Sequence, residues 1–521
     1  MTSIGEALVH GLKARGVEVV FGIPGVHTIE LYRGLPNSGI RHVTPRHEGA
    51  AVFMADGYAR ISGKPGVAFV ITGPGVTNAL TAMGQARADS VPVLVISGVN
   101  EVALQGLGLG HLHELPDQLG MAAKVALTAR EVRGAADLAP ALDAAFATFA
   151  GRGGPVHIQV PLDVMPAPAG TQPAPAVAPA PRAPAPEALA AAAARLNAAR
   201  RVVILAGGGA KQAGPALRAV AEALDAPVVQ TTNARGLMHG HPLTVPASPS
   251  FVAVREMIAT ADAILAVGTE FGPTDYDMYR RGGFPDTSAM IRIDIDATQL
   301  GRHPAGVALE ADAATALAAL VPLLAAHAGE GAARAAATRT AARAELPPVM
   351  QHQVAMLEAI RAALPGCIIA GDSTQPVYAG NLYYDHDRPG GYFNAATGFG
   401  SLGFGAPAAI GAAVAAPGVP VVCLTGDGGL QFSLAELLTA VDAGVDVTFL
   451  VWNNAGFREI ADSMVAAGTD VIGCDPTPPL FEPLAAAARM PFISIPDTPD
   501  ALTAALRTRH SGARMIEVRV A

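Results

Sequence analysis

The stretch that decides the fold is Val421-Val422-Cys423-Leu424-Thr425-Gly426-Asp427-Gly428-Gly429, with its sequel Val447-Thr448-Phe449-Leu450-Val451-Trp452-Asn453-Asn454. Each opens on a short apolar, β-branched run, and a hydrophobic helical pattern lies between them, so the whole reads as strand–helix–strand. Pro420 stands just before the first run, at a position that needs no backbone N–H. In a parallel sheet such a unit delivers Asp427 and Asn453-Asn454 to one edge, outside the carboxyl ends of the strands, where ligands bind. The glycines around Asp427 let backbone approach a phosphate closely. A carboxylate, an amide oxygen and a backbone carbonyl suit Mg2+, which takes oxygen ligands and keeps phosphate oxygens in its octahedron. Alone, Asp427 reads equally well as a helix-terminal residue and the asparagines as a turn. The set at this spacing points to a metal–diphosphate cradle.

Working outward, similar runs occur at 67–71, 93–97, 202–206, 263–267 and 291–295, alternating with longer helical patterns. Short apolar strands between helices imply parallel sheets covered on both faces. A Pro- and Ala-dense segment, 166–186, reads as an extended linker, because proline fixes φ and cannot donate to a ladder. A softer break falls at Glu345-Leu346-Pro347-Pro348. The expected architecture is therefore α/β, with three consecutive doubly wound parallel-sheet domains at 1–165, 187–345 and 346–521. Gly-rich turns follow three strands, at Thr72-Gly73-Pro74-Gly75, Gly207-Gly208-Gly209 and Gly426-Asp427-Gly428. The second of these reads better as a tight connection than as a nucleotide loop.

A chain of 521 residues is too long for one core, at roughly 150 residues per domain. With 51% hydrophobic and 15% charged residues it is well buried rather than disordered. A net charge of −9 argues against nucleic acid as a partner. Three scattered cysteines form no CxxC pair, and no signal-like start or membrane-spanning run is present, so a reducing cytoplasm is expected.

A second signal lies near the other end: Pro45-Arg46-His47-Glu48-Gly49-Ala50, continuing to Met54-Ala55-Asp56-Gly57-Tyr58-Ala59-Arg60. It places a carboxylate at the head of an apolar helical stretch, where its pKa would tend to rise. By itself, Glu48 reads as an acidic residue favoured by a helix N-terminus.

Together these motifs resemble the thiamine diphosphate (ThDP) enzymes of the pyruvate decarboxylase and acetolactate synthase superfamily, in order along nearly the whole chain. The resemblance implies three domains: pyrimidine-binding, central and diphosphate-binding. It implies Asp427, Asn454 and the Gly456 carbonyl as Mg2+ ligands, and Glu48 as the group that activates the aminopyrimidine ring. Leu402, in Gly400-Ser401-Leu402-Gly403-Phe404, matches the side chain that props the cofactor into a V, and the Gly400 carbonyl matches the one that holds the pyrimidine amino group. Gly25, Asn78, Gln375, Gly426, Gly428 and Gly429 are further implied cofactor contacts, although Pro376 stands where the family often has His. In this family the cofactor lies between subunits, so a homodimer or homotetramer is implied, with Glu48 and Asp427 of one site on different chains.

The substrate is argued from the pocket, since one cofactor serves several reactions. Glu270, Asp275 and Asp277 stand where acetolactate synthases carry an arginine that also contacts flavin, which argues against FAD. Glu459 lies just past Asn454, on the segment that lines the substrate pocket in pyruvate decarboxylases. His111-Leu112-His113-Glu114 falls in a loop that contributes histidines there. Acidic groups in a pocket suit a cationic tail, and guanidinium pairs well with carboxylates. The stretches around Val26-His27, His113-Glu114 and Asp275-Tyr276-Asp277 look like those of bacterial 5-guanidino-2-oxopentanoate (2-ketoarginine) decarboxylases. That likeness implies conversion of 2-ketoarginine to 4-guanidinobutanal and CO2, with His113 as the candidate proton donor. Val26, His27, Glu114, Asp275, Asp277 and Glu459 are the candidate substrate contacts. Arg458 departs from the pattern by placing a cation beside them. An acetolactate synthase-like carboligase is the alternative, and Asp275 and Asp277 read equally as caps or solvated surface.

Overall fold

A computed structural model describes residues 2–177, 179–277 and 285–520. It contains three six-stranded sheets. The first comprises β1 (Val19–Gly22), β2 (Arg41–Val43), β3 (Gly66–Val70), β4 (Val93–Val99), β5 (Thr128–Glu131) and β6 (Pro155–Pro161), in the order β2-β1-β3-β4-β6-β5, every pair parallel. The second comprises β7 (Val202–Ala206), β8 (Val228–Gln230), β9 (Thr244–Val245), β10 (Ala263–Val267), β11 (Ile291–Asp294) and β12 (Val307–Glu310), in the order β12-β11-β10-β7-β8-β9, again parallel. The third comprises β13 (Ile368–Gly371), β14 (Tyr392–Asn394), β15 (Val421–Gly426), β16 (Val447–Asn453), β17 (Phe492–Pro496) and β18 (Arg514–Arg519), in the order β14-β13-β15-β16-β18-β17. The expected α/β class with three parallel sheets is what the chain forms. In the linker, 171–177 and 179–185 carry no helix or strand, and position 178 lies outside the described residues. Among the described residues no helix is long and apolar enough to cross a membrane.

The chain gathers into two compact units. One holds Met1–Pro179, Gly398–Ser494 and His510–Arg519; the other holds Ala180–Thr397 and Ile495–Arg509. In the first unit, Leu8, Leu12, Val20, Phe69, Ile96 and Ile158 build the core on one side of the first sheet. In the second, Ile204, Leu217, Val228, Leu265, Ile293 and Leu317 do the same for the central sheet.

Two helices of the first unit meet unusually closely, the helix Glu48–Ser62 and the helix Gly405–Ala415. A Cβ at Gly57 would collide with the Ala408 carbonyl, and one at Gly411 with the Met54 carbonyl. Small residues at both positions therefore let the two backbones touch. Phe53 and Phe404 close the contact edge to face, with ring centroids 5.4 Å apart.

Beside this crossing lies a buried ionic chain. Arg60 Nε donates to Asp56 Oδ1 at 2.6 Å, and Arg60 Nη2 donates to Asp89 Oδ2 at 2.7 Å. Gln85 Nε2 reaches the same Asp89 oxygen at 3.3 Å, and its Oε1 accepts from the Ser401 backbone at 3.2 Å. Burial alone would depress the Arg60 guanidinium, but the two carboxylates outweigh it and hold it firmly charged. Replacing Arg60 with methionine would leave two buried carboxylates facing each other. We expect a loss of about 3–5 kcal/mol, seen as a fall of several degrees in the thermal midpoint. An unchanged midpoint would show that the triad carries no net stability.

Candidate active site

β15 ends at Gly426, and Asp427 opens the short helical turn Asp427–Leu430. The register pairs Gly426 with Trp452, which brings Asp427 level with the asparagines at the end of β16. The Asn454 backbone N–H reaches Asp427 Oδ1 at 3.4 Å. Asp427 is 1% exposed. Burial pushes its carboxyl up, opposed by the backbone N–H groups of Asn454, Gly456 and Gly428. The two asparagines divide their work. Asn453 Nδ2 donates to Glu517 Oε1 at 2.7 Å, back into the sheet. Asn454 belongs to the turn, with Ala455 at φ 57° and Gly456 at φ 150°. Gly456 must be glycine on a second count, since a Cβ there would lie 2.5 Å from the Cys474 carbonyl. Phe457 rests on the bare Cα of Gly428. Gly429, also buried, completes the turn.

Glu48 is the first residue of its helix, and His47 Nδ1 caps the helix by accepting from the Gly49 N–H at 3.0 Å. Asn78 Nδ2 donates to Glu48 Oε2 at 2.9 Å and so aims the carboxylate. The helix entry is anchored in turn. The Arg46 backbone N–H donates to both oxygens of buried Glu436, at 3.0 and 3.2 Å, and its guanidinium pairs with Asp442. A cavity of about 690 Å³ opens here, lined by His47, Gly49 and Asn78 and, opposite them, by Leu402, Phe432 and Glu436. Gly400 and Gly403 take φ 78° and 80°, the bends that present half-buried Leu402 between them. Asn78 and Leu402 both line this space, and Glu48 is tied to it through its bond from Asn78.

A third group sits at the carboxyl ends of β1, β3 and β4. Gly25, Val26 and His27 form a turn after β1, with Val26 exposed. The rings of His27 and His113 lie 5.0 Å apart at 59°, and Nδ1 of each is buried with no hydrogen-bond partner among the described residues. Burial pushes His27 down, and the neighbouring His113 adds to this. His113 holds φ 62°, a conformation that costs a non-glycine residue about 1–3 kcal/mol and clusters at functional sites. Thr72, whose buried Oγ1 also lacks a partner among the described residues, joins this group, although the sequence reading did not single it out. Its position at the mouth of a Gly-rich turn was the available signal. Glu114 is differently engaged: it accepts from the backbone N–H groups of Gly108, Gly110 and His111 at 2.6, 2.9 and 3.0 Å. Some burial raises that carboxyl, but the three N–H groups outweigh it and hold it below its usual range. Its place in the structure is to shape the loop.

Glu459 stands in the first turn of the helix Arg458–Ala466, directly after the cradle. It is half-buried. Burial, and then the charge of Asp462, push its carboxyl up. Arg458 turns away from it, its Nε donating to the Asn454 carbonyl at 3.0 Å.

Three candidates lie in the second unit. Gln375 opens the helix Gln375–Leu382. Asp275 Oδ1 accepts from the Thr232 backbone at 3.1 Å, and Asp277 pairs with Arg255 at 2.6 Å. Binding a substrate cation there would mean breaking bonds that hold this unit together. The Gly207-Gly208-Gly209 turn packs against Gly268: the Gly207 N–H goes to the Val267 carbonyl and the Gly209 N–H to the Gly268 carbonyl, both at 2.9 Å. Glu270 receives Gln299 Nε2 at 2.8 Å.

Comparison with known proteins meets this geometry. Models of the thiamine pyrophosphate enzyme N-terminal TPP binding domain, central domain and C-terminal TPP binding domain match residues 2–121, 189–320 and 372–518. The chain belongs to the thiamine pyrophosphate enzymes. Thiamine pyrophosphate is the same molecule as thiamine diphosphate. Among relatives within these enzymes, a Pseudomonas aeruginosa protein named "Probable 2-ketoarginine decarboxylase" is 45% identical over 527 residues, 99% of this chain and 93% of its own. The acetolactate synthase isozyme 1 large subunit of Escherichia coli is 33% identical, covering 86% of this chain and 81% of its own. The "Probable acetolactate synthase large subunit" of Methanocaldococcus jannaschii is 30% identical, covering 86% and 80%. The donor set fits what a thiamine pyrophosphate enzyme has to hold. Asp427, Asn454 and the Gly456 backbone offer oxygens to a hard cation, and Glu48 offers an aimed carboxylate to a ring nitrogen.

Proposed function

We propose that this enzyme removes CO2 from a 2-oxo acid with a cationic tail, without oxidation, using ThDP and Mg2+. The substrate we favour is 2-ketoarginine, giving 4-guanidinobutanal. The observation that carries the reading is Glu459: a half-buried carboxylate beside the cradle, with no hydrogen bond or ion pair to its side chain among the described residues. The name of the Pseudomonas relative supports the same substrate.

When bound, the cofactor supplies an electron sink for the bond to the departing carboxylate. The chain's own residues do the rest. Asp427, Asn454 and the Gly456 carbonyl would hold Mg2+ on the diphosphate. Glu48, aimed by Asn78, would hold the proton shared with the pyrimidine ring nitrogen. Leu402 would fix the angle between the two rings. His113, through its buried Nδ1 beside His27, would give a proton to the carbon that has lost CO2, so that 2-oxo acid anion plus proton becomes aldehyde plus CO2. Val26, Leu109, Leu112, Ile472 and Leu480 are exposed apolar side chains on loops of the first unit. Their exposure supports a homodimer or homotetramer in which a second copy completes each site.

The test is to incubate the protein with ThDP and Mg2+ and to measure CO2 and carbonyl products from 2-ketoarginine and from pyruvate separately. Aldehyde from 2-ketoarginine with little turnover of pyruvate supports the proposal. Acetolactate from pyruvate, with 2-ketoarginine inert, replaces it with the carboligase reading that the acetolactate synthase relatives favour.

Glu459→Gln gives a sharper outcome. A lost charge-assisted bond is worth about 1.5–3 kcal/mol, so KM for 2-ketoarginine should rise by about 10- to 100-fold. For 2-oxopentanoate, which lacks the cation, it should stay within about twofold. The pH dependence has a definite sign. A carboxyl pushed up takes its proton at higher pH than an ordinary Glu, and only the ionised form attracts a guanidinium. KM for 2-ketoarginine should therefore climb as pH falls through that raised range, and the variant should flatten the climb. An equal effect on both substrates would remove Glu459 from tail recognition.

A further inference from the structure

The His27–His113 pair rests on backbone whose shape is set from behind. A Cβ at Gly73 would strike the His113 carbonyl, and one at Gly98 would lie 2.7 Å from both the His27 carbonyl and Thr72 Oγ1. The two histidine segments are therefore seated on the bare Cα atoms of two glycines. Gly73 adopts φ 66° and ψ −103°, outside the regions open to other residues.

One side chain ties both glycines. Gln118 opens the helix Gln118–Val125 and is 3% exposed. Its Oε1 accepts from the Gly73 N–H at 2.8 Å. Its Nε2 donates to the Gly98 carbonyl at 2.9 Å and to Gln159 Oε1 at 3.0 Å. Gln159 is fixed in turn by its Nε2 bond to Glu131 Oε2 at 2.5 Å. A primary amide is suited to this place because it offers an acceptor to one glycine and a donor to the other from a single planar group. A buried N–H and a buried C=O would otherwise lose their partners.

We propose that Gln118 is the positioning residue for the His27–His113 pair, setting ring placement by clamping Gly73 and Gly98 to one amide. The proposal rests on the proton-donor role given to His113 above. It acts through geometry: a pair misplaced by an ångström loses rate without losing cofactor.

Gln118→Glu keeps the acceptor for Gly73 and removes the donor to Gly98. Gln118→Met keeps the volume and removes both. In the ThDP–Mg2+ holoenzyme, kcat should fall about tenfold or more in either variant, while KM and cofactor affinity change by less than about threefold. In a His113→Gln background the same substitution should cost less than about twofold, because the group it positions is gone. A second readout needs no turnover. Carbethoxylation by diethyl pyrocarbonate, mapped by mass spectrometry, should speed up several-fold at His27 and His113 and stay unchanged at the other histidines. Unchanged rates at both, or a kcat loss that persists in full without His113, would overturn the clamp. If the wild type turns over no 2-oxo acid, the decarboxylase reading fails, and the modification rates still decide the clamp.

Discussion

Asp427→Ala is expected to abolish turnover, by about a thousandfold or more, together with the Mg2+ dependence of cofactor binding. The residue is a buried carboxylate at the end of β15, level with Asn454. On the proposed role, removing it would take an anionic ligand from the Mg2+, and a metal holding a diphosphate contributes several kcal/mol. The variant should not unfold. Burial already works against the charged form of Asp427, so the cofactor-free protein should melt within about 2 °C of wild type or above it. Trp452 supplies the assay. It is the chain's single tryptophan, buried across from Gly426 in the β15–β16 pair, so cofactor entering the cradle should change its fluorescence. Wild-type cofactor binding in the alanine variant would remove Asp427 from the cradle. Asp427→Asn should fall between the two, with part of its binding restored by excess Mg2+.

Glu48→Gln should leave the same fluorescence response nearly intact and lower kcat by about 10²- to 10⁴-fold, the range for losing a positioned proton-transfer group. Glutamine preserves the size of the side chain and its bond to Asn78, which now lies at 2.9 Å. What it cannot do is hold a proton between itself and a ring nitrogen. The contrast between the two variants is the informative result: one loses the cofactor, the other keeps it idle. If Glu48→Gln lost binding instead, the carboxylate would be a docking contact and its bond to Asn78 a structural brace.

The parts legible in the sequence share a physical cause. The strands read from apolar runs are β3, β4, β7, β10, β11, β15 and β16, all interior to their sheets. Interior parallel strands are covered on both faces and show as mostly apolar segments, although β11 carries Arg292 and Asp294. The edge strands β2, β5, β9, β12, β14 and β17 are short or carry exposed polar residues such as Arg41 and Arg130, and their pattern is weak. The strand–helix–strand unit that carries Asp427 and Asn454 was legible because it is local. The substrate side was harder to read because acidic residues do not announce their partners. Asp277 faces Arg255, 22 residues earlier and on the far side of β10 in the chain, and Glu114 gathers N–H groups that only the folded loop turns toward it. Their residue types fitted a cation pocket equally well. Among the described residues the Glu459 side chain has no hydrogen bond or ion pair, and no motif distinguishes it from the other acids. Gln118 was equally silent, since its role depends on two glycines that meet it only in the fold.

The crossing at Gly57 and Gly411 bears on how such an enzyme can change its trade. Because backbone meets backbone at two points there, the carboxylate helix and the helix that follows Leu402 are held as one piece, with the Phe53–Phe404 pair closing the contact. Drift in the rest of the chain cannot easily detune that piece. The turns carrying Val26, Leu109 and Glu459 lie outside it, at the surface or half-buried, where exchange of a residue is cheap. A lineage built this way can try new substrates at its rim while its oldest chemistry stays sheltered behind two glycines.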